Sequence, residues 1–94
     1  MNTDRRAVLA RIEGRVQGVG FRAWTLREAQ ALGLAGWVRN EADGSVAARI
    51  EGAQKNIDRM LERLRIGPPG AVVTKISCKP SVPEAMGSSF RITR

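Results

Sequence analysis

The chain has 94 residues, 16 Lys+Arg against 9 Asp+Glu, a formal net charge of +7 and no histidine. That length suits one domain over residues 1–94, and 43% hydrophobic with 27% charged residues is a globular rather than a disordered composition. The single cysteine, Cys78, excludes an internal disulfide, and one Cys with no His excludes an ordinary zinc site and every nucleophilic mechanism that needs a histidine base.

Thirteen of the sixteen basic residues are arginine. Arginine presents a planar fork of donors matched to phosphate or carboxylate, so the charge points either to an anionic partner, a small phosphate compound or nucleic acid, or to a basic surface that merely keeps the chain soluble. The apolar run Ala7–Ala10 is stopped by Arg11 and is too short for a signal-peptide core or a membrane span. A cytoplasmic protein without a membrane partner is the expectation.

In chain order, residues 7–13 alternate with Val8, Ala10 and Ile12 on one side, which predicts a strand with that side buried. Gly14-Arg15-Val16-Gln17-Gly18-Val19-Gly20-Phe21-Arg22 follows as a tight loop. From Phe21 to Leu32 the period becomes helical, with Phe21, Thr25, Ala29 and Leu32 on one face and Trp24 at its flank. Gly33 stands where a helix-ending glycine belongs, and Leu34 can pack back on the last turn. Trp37 and Val38 belong to a strand ending near Asn40. Asp43-Gly44 makes a turn, and Val46, Ala48 and Ile50 form the returning strand's inner side. Residues 53–65 carry Ala53, Ile57, Met60, Leu61 and Leu64 at helical spacing, and Gly67-Pro68-Pro69-Gly70 stops that helix.

Residues 71–78 read as a strand with Ile76 and Cys78 facing in, while Val72 and Val73 compete for the buried register, so a bulge is possible there. Lys79–Ser88, with Pro80 and Pro83, reads as a loop, and Phe90 and Ile92 as a last short strand. The order is β-α-β-β-α-β plus a C-terminal strand. It predicts an α+β, ferredoxin-like sandwich with two helices on one face of a mainly antiparallel sheet and the other face wet.

The chemistry concentrates after the first strand. Glycines at 18 and 20 let successive N–H groups converge on an anion, and the following helix start adds unsatisfied N–H groups and the positive end of its dipole. Arg22 in that first turn makes sense if an anion shares the site. The loop is neither Gly-x-x-x-x-Gly-Lys-Ser/Thr nor Gly-x-Gly-x-x-Gly, so nucleotide binding of those kinds is unsupported.

The segments Gly14–Arg22, Leu32–Asn40 and Asp43-Gly44-Ser45-Val46, continued by Glu51-Gly52 and Gly67–Gly70, closely resemble the acylphosphatase family over about residues 7–78. The Lys79–Ser89 segment departs from the acidic stretch usual there. The resemblance implies the ferredoxin-like fold and hydrolysis of acyl phosphates to a carboxylate and inorganic phosphate, the phosphate being product and inhibitor. It implies Arg22 and Asn40 as catalytic positions and the loop amides of Gln17, Gly18, Val19, Gly20, Phe21 and Arg22 as the phosphate-binding set. No cofactor and no metal are called for. An acyl phosphate leaves as a carboxylate, a weak base, so a chain without histidine suits the reaction.

Two other functions are weighed. A non-catalytic phosphate-sensing module would keep the loop without the chemistry. A nucleic-acid-binding sheet would need aromatics on its open face, where Leu9, Arg11, Glu13, Ala47, Arg49 and Glu51 are expected instead. Trp37, Trp24, Phe21 and Phe90 are expected in packing roles, Cys78 as an inert buried residue, and nucleic acid is disfavoured.

Overall fold

The computed structural model describes residues 5–84 and 89–94. Its elements are β1 (Arg5–Arg15), α1 (Phe21–Ala31), β2 (Ala35–Asn40), β3 (Val46–Ala53), α2 (Gln54–Ile66), β4 (Val72–Ser81) and β5 (Phe90–Ile92). The strands form one sheet in the order β4-β1-β3-β2-β5. Every pairing is antiparallel except β2 with β5. This is the expected ferredoxin-like arrangement with its extra C-terminal strand.

Alternation decides which side of the sheet the helices cover. Ala10 and Ile12 of β1, Val38 of β2 and Val46, Ala48 and Ile50 of β3 are buried on the helix side. In α1 the four-residue spacing of Phe21, Thr25 and Ala29 makes the buried stripe. The helix ends as its glycine requires: Gly33 N–H donates to Gln30 C=O at 3.0 Å, and Leu34 N–H to Ala29 C=O at 2.9 Å. That pair of bonds turns the chain back, and Leu34 is fully buried against the core. In α2, Ile57, Met60 and Leu64 are fully buried. Each contributes about 1.5–3 kcal/mol by leaving water, so Leu64→Ala would cost roughly 2–5 kcal/mol once the cavity is included. Arg63 of α2 donates to Glu28 of α1 at 2.8 Å and ties the helices together.

Three expectations are corrected. First, β4 runs on through Lys79, Pro80 and Ser81, with Pro80 opposite Val8, where a loop is predicted. As the outer strand of the sheet, β4 tolerates a residue without an N–H. Residues 82–84 are non-strand as predicted, and 85–88 lie outside the described residues. Second, Cys78 takes the inward register opposite Ala10 yet is exposed, because β4 has no strand on its far side. The Val72/Val73 competition does resolve as a bulge: the register shifts at Glu13/Gly14, with Val73 packed on the core and Val72 exposed.

Third, the face opposite the helices is not wet throughout. Val82 and Glu84, just past β4, bond side chains of that face. Val82 C=O accepts a bond from Arg49 at 2.6 Å, and Glu84 N–H donates to Glu51 at 3.0 Å. Arg49 and Glu51 are therefore buried, at 8% and 1% exposure, and bonded to each other at 2.8 Å. Arg5 completes the cluster on Glu51 at 2.5 Å. Burial raises the Glu51 carboxyl, but bonds from Glu84 N–H, Arg49 and Arg5 outweigh it and hold the group below its ordinary value. Trp37 pairs with Arg49 on that same face, half-buried and packed against Arg39.

Candidate active site

β1 delivers the chain to a loop, residues 16–20, that enters α1 without a capping side chain. Gly18 and Gly20 sit at φ +77° and +76°. A Cβ at either would meet nothing within 4 Å, so backbone conformation rather than space calls for glycine there. Successive N–H groups in such a loop point into one concavity. Gly20 is the N-cap of α1, and Trp24 N–H to Gly20 C=O at 3.0 Å is the first bond of the helix. The amides of Phe21, Arg22 and Ala23 precede it and have no helical carbonyl to bond. The first turn holds no acidic residue. Arg22 is exposed, and among the described residues no carboxylate pairs with it. A helix start that is positive, uncapped and reinforced by a free guanidinium lacks a counter-anion.

Asn40 arrives from the other direction. It is the last residue of β2 and lies two positions beyond the buried Val38, so its side chain continues the inward stripe just where the apolar core gives out. Asn40 Oδ1 is buried and accepts no hydrogen bond from the described residues. A cleft of about 270 Å³ brings Asn40 together with Gly18, Gly20, Phe21 and Arg22, and Val16, Ala23 and Ile92 complete its lining. Two expected loop residues do not line it. Gln17 turns its carboxamide to the β2–β3 hairpin, donating to Glu41 C=O at 2.8 Å and Ser45 C=O at 2.9 Å. Val19 packs against the core, and a Cβ on Gly70 would touch it at 3.9 Å. Phe21 anchors the loop by its ring, 2% exposed and edge-on to Trp24 at 5.5 Å. Ile92 had no signal in the sequence, since only the parallel pairing of β5 with β2 brings it to the cleft.

The hairpin beside the site is held by its own turn chemistry. Asp43 accepts from Ser45 Oγ at 2.6 Å and from Ser45 N–H at 3.0 Å, and Arg11 bonds its other oxygen. These donors, Ser45 first, lower the Asp43 carboxyl to about 2. On the face opposite the helices, the Arg39 guanidinium lies 4.6 Å over the Trp37 ring and bonds Glu41 at 2.6 Å. Among the described residues no three His, Cys, Asp or Glu side chains converge as a metal site would need. None of the described helices is long and apolar enough to cross a membrane.

This geometry defines a class: an α+β protein in which the donor-rich start of a helix and a buried polar acceptor line one cleft. The family model Acylphosphatase matches residues 8–92. A chain from Rhizobium etli named Acylphosphatase is 56% identical over 93 residues, covering 99% of both chains. One of the same name from Sinorhizobium medicae is 53% identical over 94 residues and 100% of both. The crystal structure of acylphosphatase from Bacillus subtilis superposes with a TM-score of 0.90 at 36% identity, covering 95% of this chain and 99% of that one. The chain belongs to the acylphosphatase family. Its activity is hydrolysis of the carboxyl–phosphate anhydride of acyl phosphates to a carboxylate and inorganic phosphate.

Proposed function

We propose that Arg22 and the loop amides from Gln17 to Arg22 bind the phosphoryl group, and that Asn40 holds the attacking water in line with the leaving carboxylate. The observation that carries this reading is the buried, undonated Oδ1 of Asn40 in the same cleft as the unpaired Arg22. Arg22 forks onto two phosphoryl oxygens beside the amides and neutralises charge as the bond to the leaving oxygen stretches. Asn40 is no base. Its carbonyl oxygen accepts one hydrogen of the water and fixes the direction of attack. The proton passes to a phosphoryl oxygen of the substrate. The leaving carboxylate, with an ordinary pKa of about 4, departs without a general acid.

No metal is needed, because the guanidinium and amides do the work of charge neutralisation. The chain acts as one domain over residues 1–94 in the cytoplasm, where a single unpaired Cys78 suits a reducing compartment. Nucleic acid is not a partner in this reading. Trp37 does lie on the sheet face where bases would stack, but Arg39 covers its ring and Glu41 matches the Arg39 charge.

Hydrolysis of benzoyl phosphate in EDTA, followed with inorganic phosphate as competitor, tests the reading. Turnover should survive EDTA, phosphate should inhibit competitively, and Arg22→Ala and Asn40→Ala should each lose on the order of a hundredfold. Full activity in both variants would remove these residues from the mechanism.

A further inference from the structure

The geometry points to the side chain of Gln17 as a positioning residue that holds the phosphate loop in register with Asn40; this rests on the site reading above. The phosphate-binding amides and Asn40 come from different parts of the chain, one from the loop after β1 and the other from the end of β2. In-line attack depends on the distance between what each of them holds. Gln17 Nε2 spans that gap. Its two hydrogens go to Glu41 C=O at 2.8 Å and Ser45 C=O at 2.9 Å, the residues at either end of the β2–β3 turn. The same turn is closed by Glu41 N–H to Ser45 C=O at 2.8 Å, and Asn40 is the residue immediately before Glu41.

The carboxamide therefore grips a rigid turn that begins one residue beyond Asn40. Its own backbone opens the run Gly18-Val19-Gly20, in which two of three residues have no side chain to fix them. Amide donors are essential to this grip because both partners are carbonyl oxygens. Methionine matches glutamine in length and donates nothing. Glutamate matches its shape and would set a carboxylate against two carbonyls.

Without the grip the loop still has its amides and Arg22 its guanidinium, so phosphate binding survives. The alignment of water against phosphorus does not, and a displacement of about 1 Å costs up to roughly a hundredfold in rate. Positioning through Asn40 also has a signature that general loosening lacks: the two substitutions should not add.

The experiment measures kcat on benzoyl phosphate and the inhibition constant of inorganic phosphate for Gln17→Met, Gln17→Glu, Asn40→Ala and Arg22→Ala. It adds the double variant Gln17→Met/Asn40→Ala, with thermal unfolding of each. Gln17→Met should lower kcat by roughly ten- to a hundredfold while the phosphate inhibition constant moves by less than about threefold. On the Asn40→Ala background it should cost less than about threefold further. An unchanged kcat, a matching loss of phosphate affinity, or fully additive effects overturns the inference. If Gln17→Met does not fold, Gln17→Glu is read in its place. Loss of fold in both also overturns the inference, since the side chain would then be holding the fold rather than the site. Full activity in Arg22→Ala and Asn40→Ala would instead defeat the site reading itself, whatever Gln17 does.

Discussion

Asn40→Leu should keep the fold's stability and lose nearly all activity. Leucine is close to asparagine in shape, and the substitution removes a carbonyl oxygen that has no donor among the described residues. Water in the cleft serves that oxygen, as the reaction requires, so exchanging it for an apolar group of the same shape is nearly neutral, within about 1 kcal/mol. For 94 residues the unfolding entropy is about 0.2 kcal/mol/K, so each kcal/mol raises Tm by about 5 °C. Asn40→Leu should therefore hold Tm within about 5 °C of the parent in the absence of phosphate, while kcat on benzoyl phosphate falls by on the order of a hundredfold. Thr25→Val is the matched control. Thr25 is fully buried in α1, its Oγ1 also has no partner, and it does not line the cleft. It should gain about 1 kcal/mol with kcat unchanged. Differential scanning calorimetry with parallel kinetics reads both variants. A drop in Tm of more than about 5 °C for Asn40→Leu, or retained activity, would refute the view that Asn40 serves the reaction rather than the fold.

Three further outcomes follow from particular contacts. The Asp43 carboxyl, lowered to about 2, binds fewer protons folded than unfolded, so its contribution to stability is complete above about pH 4 and is lost as pH falls through 2. An NMR titration should place its midpoint there, and Ser45→Ala should move it up towards the ordinary value. Glu51→Leu strips the carboxylate from the buried Arg49 and should cost about 3–5 kcal/mol in urea unfolding; a loss under about 1 kcal/mol would show that Val82 C=O alone suffices for Arg49. Gly36→Ala should abolish soluble expression, because at φ +137° a Cβ would lie 1.7 Å from Arg49 C=O in the neighbouring strand.

Much of the site was legible because it is built from local signals. Glycines at 18 and 20 followed by Arg22 describe an anion-binding helix start without any tertiary knowledge, and the motif ending at Asn40 completes the family resemblance. The side-chain role of Gln17 was not legible. Only its backbone amide is implied by the resemblance, while its carboxamide bonds to carbonyls of Glu41 and Ser45, and backbone carbonyls carry no sequence signature. Cys78 misled for a related reason. Its alternation with Ile76 correctly gives the inward register, but register does not say whether anything lies above that position.

Net positive charge carried mostly by arginine, with no histidine, narrows the chemistry to what guanidinium and amide groups can do. Alternation and helical spacing then mark one inner side for every element, since which residues share a face depends only on a strand's two-residue or a helix's 3.6-residue repeat. What covers each face is a property of chain ends and crossings distant in sequence. Val82 and Glu84, just past β4, bond the buried Arg49 and Glu51, and the pairing of β5 with β2 delivers Ile92 to the cleft beside Asn40. Those contacts join residues far apart in the chain, so they exist only once the sheet order β4-β1-β3-β2-β5 has set two consecutive strands at opposite edges.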